Sequence, residues 1–174
     1  MRALAWAFFA SLSLILMLQL RGFDAPLRTA ATPRGIVDYE FSWTQARAAQ
    51  VIDAWRESDG LDTAKVRLGI DFAFLLAYPL LLSTSILLLL RTPGTARLDR
   101  AGAVLRFVVL LCIPLDAAEN VLLWRMLDHG PTDFGAHAAT ICAVLKFLLV
   151  ATALLWCIAA IIRRLMTARP AQAA

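Results

Sequence analysis

Four apolar runs, at positions 3–20, 68–90, 101–127 and 138–162, divide this 174-residue chain. Each is about long enough to cross the ~30 Å hydrocarbon layer as a helix, and lipid leaves backbone polar groups few alternatives to one. The sequence therefore predicts an all-α fold: an integral membrane four-helix bundle in one domain covering 1–174. Apolar residues make up 60% of the chain and its mean hydropathy is +0.70. Soluble domains carry roughly 45–50% apolar residues, so a water-soluble fold is excluded.

The first run follows Arg2 and precedes Arg21. The segment from Gln19 to Ala25 lacks the paired small residues of a signal-peptide cleavage site, so an uncleaved first span is expected. The net charge of +4 suggests nucleic acid only until its carriers are located. Arg91, Arg97, Arg100, Arg163, Arg164 and Arg169 all flank apolar runs, where orientation determinants lie. Lipid bilayer, not nucleic acid, is the expected partner. An even number of spans puts both termini and the basic 91–100 link on one side, expected to be the cytoplasm. Residues 21–67 and the 128–137 link are then extracytoplasmic.

The long polar segment has a pattern of its own. Residues 36–41 alternate, with Val37, Tyr39 and Phe41 opposite Asp38 and Glu40, which predicts a short extended piece. Ser42-Trp43-Thr44-Gln45 has capping-box spacing, so a helix is expected to start there. Ala48, Val51, Ile52 and Trp55 form its apolar face. Ser58-Asp59-Gly60 offers a glycine for a left-handed end, and Asp62 a cap for the following helix. Charges of both signs on the polar face favour an extracytoplasmic cap containing one amphipathic helix over a helix lying on lipid.

Polar residues inside the apolar runs mark a candidate site. Asp116, Glu119 and Asn120 stand at i, i+3 and i+4 and share a helical face. Asp71 and Tyr78 share another face in the second run, and Lys146 lies in the fourth. Counting from the outer boundaries at ~1.5 Å per residue puts these groups in one half of the membrane. Pro79 and Pro114, near the middle of their runs, are placed to kink helices beside them. An ionisable group in hydrocarbon costs at least ~2.5 kcal/mol on insertion scales, so each needs a partner. Arg67, four residues before Asp71, is one. Lys146 is expected to pair with Glu119 or Asp116; it lies at matching depth with Glu119, and if those two pair, Asp116 is the surplus acid. A structural reading stands beside the functional one: Lys146 gluing helices, Tyr78 bonding a carbonyl, Asn120 bridging two helices.

Cys112, Cys142 and Cys157 are isolated within apolar runs. His129 and His137, near Asp128 and Asp133, match no strong metal spacing. No metal and no cofactor is expected, and no recognisable nucleophile speaks for an enzyme.

The order Pro33-Arg34-Gly35-Ile36-Val37-Asp38-Tyr39-Glu40, Trp55, Asp71-Phe72-Ala73-Phe74, Tyr78, Leu115-Asp116-Ala117-Ala118-Glu119-Asn120 and Lys146-Phe147 resembles a family of uncharacterised bacterial four-span membrane proteins. The likeness covers nearly the whole chain, and L-D-x-x-E-N is its most specific element. It implies the four-span fold and a bacterial cytoplasmic (inner) membrane, and carries no activity with it. The expected function is binding or passing a small ligand, cation or proton at an outward-facing intramembrane pocket. Its candidate residues are Asp71, Tyr78, Asp116, Glu119, Asn120 and Lys146. The rivals are a membrane enzyme with a lipid-soluble substrate, using Asp116 or Glu119 as general acid, and a structural or assembly protein.

Overall fold

The computed structural model describes residues 1–90 and 96–167, and four of its helical segments are long and apolar enough to cross a membrane. Helix α1, Arg2–Asp24, runs into a 3₁₀ turn at Ala25–Leu27. Two shorter helices follow, α2 (Ile36–Glu40) and α3 (Gln45–Glu57), then the long α4 (Leu61–Leu89). Helix α5 (Ala96–Val108) passes through a 3₁₀ turn at Val109–Leu111 into α6 (Cys112–His129). Helix α7, Asp133–Thr167, ends the described chain. Half of the expected 91–100 link, 91–95, lies outside the described residues; 96–100 is already helix.

The proline expectations resolve differently from each other. Pro79 sits inside an unbroken α4. Pro114 falls in the first turn of α6, directly after the 3₁₀ turn, where its missing N–H removes no bond that the helix could otherwise make.

Helix α1 lies along α4 and α6 along α7, while α4 also packs on both α6 and α7. Two apolar cores result. One joins Tyr39, Trp55, Leu68, Leu123 and Ala139, the other Ile86, Val109, Cys112, Trp156 and Ala160. The second depends on a close approach: a Cβ on Gly102 would lie 2.1 Å from the Trp156 ring. Trp156 Nε1 also donates to the Leu98 carbonyl at 3.0 Å. The polar side chains of α4, α6 and α7 occupy the layer between the two cores.

Residues 36–40 are helical, which corrects the extended segment read from their alternation. The Asp24 carboxylate accepts the Ile36 N–H at 2.9 Å and so supplies a partner for the first turn. Gly35 makes this possible with φ +63°, and a Cβ there would come within 2.4 Å of Asp24 Oδ1. Tertiary anchoring overrides a pattern of only six residues.

Helix α3 starts at Gln45 as expected, but its cap is Thr44, whose Oγ1 accepts from the Arg47 N–H at 3.2 Å; Ser42 is not the cap. Asp59, not Gly60, adopts the positive φ after α3. Gly60 instead precedes α4 as its N-cap, displacing Asp62 into the first turn. Ala48, Val51, Ile52 and Trp55 are all buried.

Candidate functional site

Lys146 is the hub of the polar layer. Its Nζ lies 2.8 Å from Asp116 Oδ1 and 2.8 Å from Glu119 Oε2. The two acids stand one turn apart on α6, so a single lysine from α7 faces both. Tyr78, from α4, donates its hydroxyl to the other Asp116 oxygen at 3.0 Å. Asn120 donates to Asp71 Oδ2 at 2.9 Å, again joining α6 to α4. All six residues named from the sequence therefore converge across three helices, in two linked groups. Asp71, Tyr78, Asp116 and Lys146 face a cavity of about 630 Å³; Glu119 and Asn120, both fully buried, stand outside its lining.

Two pairings differ from expectation. Asp116 is not the surplus acid, because it holds both Lys146 and Tyr78. Arg67 does not pair with Asp71; its Nε lies 3.5 Å from Asp24 Oδ1. Asp24, at the end of α1, also faces Arg28 at 3.5 Å. The i, i+4 argument looked along α4 alone, whereas the guanidinium turns toward α1.

The unpartnered acid is Glu40. Its side chain lines the cavity and the residue is only 4% exposed. Among the described residues its carboxylate has no ion pair or hydrogen bond. Burial raises this carboxyl above the ordinary glutamate range, while the charges of Lys146 and Arg67 pull it down and those of Asp71 and Asp116 add to the rise.

Glu40 is held by its backbone neighbours. Thr140 of α7 donates its hydroxyl to the Glu40 carbonyl at 2.9 Å and accepts the Trp43 N–H at 3.1 Å. Tyr39 donates to the Leu123 carbonyl at 3.1 Å and meets Trp55 edge-on at 5.3 Å. Trp55 in turn donates to the Leu27 carbonyl at 2.9 Å. The five-residue helix is thus pinned to α6, α7 and the turn after α1, and Glu40 is carried into the cavity.

Sequence reasoning missed Glu40, Arg67 as a cavity residue, Asp24 and Thr140. Hydropathy assigns the charges of 21–67 to water. The available signal was the helical spacing of Ile36, Tyr39 and Glu40, which share a face at i, i+3 and i+4.

Arg67 Nε and Nη1 are buried without a hydrogen-bond partner, as is Ser13 Oγ on α1; both residues line the same cavity. His129 and His137 each bond a carbonyl four residues back through Nδ1. Among the described residues no group of three metal-ligating side chains gathers. Chemically, the cavity presents a carboxylate, a guanidinium and a hydroxyl with hydrogen-bonding capacity unused. Comparison with protein-family models, curated proteins and solved structures yields no match.

Proposed function

We propose that this protein crosses a bacterial cytoplasmic membrane four times and binds or passes a small ligand, cation or proton at the cavity between α1, α4 and α7. The observation that carries this reading is the lining: Arg67 and Ser13 bury polar atoms without hydrogen-bond partners at one cavity, and Glu40 lines it with a carboxylate unpaired among the described residues. Buried polar groups in folded proteins are nearly always partnered, so a lining of this kind calls for an occupant. Structural glue accounts for Lys146, Asp116 and Tyr78, which pair with one another, and for the Lys146–Glu119 ion pair, although neither Glu119 oxygen accepts a hydrogen bond. It gives no reason for Glu40.

Orientation rests on the arginines. Arg2 and Arg106 border one groove with Leu88, and Arg164 donates to the Leu88 carbonyl at 2.9 Å. These cations gather at the end of the bundle away from α2 and α3, and the positive-inside rule supports a cytoplasmic location for that end. Residues 21–67 then form an extracytoplasmic cap with α3 as its amphipathic helix, and the polar cavity opens toward the outer side. Arg91 and Arg169, counted in the sequence argument, lie outside the described residues.

Filling the cavity tests the reading. In Ser13→Trp, the indole occupies the space between α1 and α7. Native mass spectrometry of protein released from lipid nanodiscs should show small bound species on the wild type, absent from an equally stable Ser13→Trp. No bound species on either, with stability raised by the filling, would reduce the polar layer to packing.

A further inference from the structure

The cavity has a direction. Along α4 its lining changes from Arg67 and Asp71 to Leu81 and Leu82, and along α7 from Lys146 to Val150 and Leu154. Along α1, which runs the opposite way, it changes from Asp24 and Arg21 to Leu14 and Ala10. Three helices therefore build one space with a charged end and an apolar trough. On α7 the trough from Lys146 to Leu154 is about 12 Å long at ~1.5 Å per residue. It is not sealed by protein. Leu14 is 52% exposed and Leu154 47% exposed, so the trough opens sideways between α1 and α7, toward where the acyl chains of a bilayer lie.

The charged end is short of partners for both signs. Lys146 is committed to Asp116 and Glu119. Among the described residues Glu40 has no partner, and Asp71 has only the Asn120 amide. Arg67 faces Asp24 through Nε at 3.5 Å, yet Nε and Nη1 make no hydrogen bond. Arg21, exposed at the cavity's edge, adds a second guanidinium. An ammonium alone leaves the guanidinium unserved, and an anion alone leaves Glu40 unserved.

We propose that the cavity binds a zwitterionic amphiphile, with a primary ammonium between Glu40 and Asp71, an anionic group on Arg67, and one alkyl chain along the α1–α7 trough. This rests on the ligand-binding reading above and names its ligand class. A primary ammonium suits the two acids because it has three donors, whereas a quaternary one has none. A guanidinium suits phosphate or carboxylate because its fork matches their oxygens. Apart from the Ser13 and Tyr78 hydroxyls, the trough lining is apolar and offers a chain van der Waals contact that water cannot give.

The test uses the full-length protein in nanodiscs and a photoactivatable monoacyl phosphatidylethanolamine with the diazirine on its chain. Saturable labelling should fall on α1 and α7 near Leu14 and Leu154. Unlabelled monoacyl phosphatidylethanolamine should compete. The choline and glycerol analogues, and free phosphoethanolamine without a chain, should compete at least about tenfold less well, as loss of one charge-assisted contact implies. Glu40→Gln, nearly isosteric and relieved of its unpartnered charge, should lower labelling by the same factor while the protein stays folded. Arg67→Lys keeps a cation beside Asp24 but loses the fork, and should also weaken labelling. Equal competition by the glycerol analogue, unaffected by Glu40→Gln, would overturn the ammonium site while leaving a ligand cavity in place. Equal competition by free phosphoethanolamine would overturn the amphiphile. Labelling that no compound saturates and that Ser13→Trp leaves unchanged would remove the ligand-binding reading itself.

Discussion

Asn120 of α6 donates its amide to Asp71 of α4 at 2.9 Å, with both side chains buried. The amide thus serves an acid whose neighbour in sequence, Arg67, has turned away to Asp24. Removing the donor strands a buried carboxyl, at a cost of about 1–3 kcal/mol. Asn120→Leu should therefore lower the thermal midpoint in detergent, and Asn120→Leu with Asp71→Leu should recover most of the loss. A double variant no better than the single one would show that Asp71 is held by something other than Asn120.

Lys146→Met should be the most damaging single change in the polar layer. It leaves Asp116 and Glu119 facing each other one turn apart, and breaking a buried pair typically costs about 3–5 kcal/mol. Because Lys146 touches both acids, Glu119→Gln added to Lys146→Met should rescue only part of the stability. Asp116→Asn added to both should rescue most of it. Full rescue by Glu119→Gln alone would mean that Asp116 depends on Tyr78 and not on the lysine.

Gly35→Ala tests the anchor of α2. The backbone there suits glycine, and forcing a side chain into it costs about 1–3 kcal/mol. The new Cβ would also push the Asp24 carboxylate off Ile36 and Arg67. Protease cleavage within 28–44 should accelerate while the long helices stay intact by circular dichroism.

Glu40 sets a pH dependence. Its carboxyl is raised in the folded chain chiefly by burial, with Asp71 and Asp116 adding and Lys146 and Arg67 opposing. The folded state therefore holds a proton that the unfolded chain releases near the ordinary glutamate value, ~4.3. Stability from this group is fullest below that value and declines as pH rises toward the folded-state value. The melting temperature of the empty protein should fall over that window, and Glu40→Gln should flatten the fall. An ammonium ligand, which needs the ionised form, should bind more tightly as pH rises through the same window.

A periplasmic reporter should be active when fused after Arg56 or after Pro131, and silent after Arg97 or Arg164. Activity after Arg97 would invert the orientation, because the arginines at that end carry the signal.

The long helices were readable because a sustained apolar run of that length reports a membrane-length helix directly, and the six polar residues stood out because ionisable and amide groups are rare in such runs. Which of them pair was less readable. Depth matching brought Lys146 to Glu119, but Lys146 reaches Asp116 equally well, since a lysine spans one turn of the opposite helix. The 21–67 segment was the least legible. Its alternation at 36–41 is real in the sequence, yet the Asp24 carboxylate twelve residues earlier decides the local structure. That contact depends on Gly35 and on a turn whose geometry no periodicity encodes.

The contact of Lys146 with two acids on α6 bears on how the chain is made. Gly130-Pro131-Thr132 is all that separates α6 from α7. Alone in a bilayer, α6 would carry two carboxylates at a penalty of ~2.5 kcal/mol or more each, and α7 a lysine at a similar one. Folded together, the lysine answers both acids and the penalty shrinks for all three. On the four-span reading proposed above, the last two spans are expected to leave the insertion machinery as a hairpin, and a nascent chain halted after α6 is expected to hold that segment in the membrane poorly.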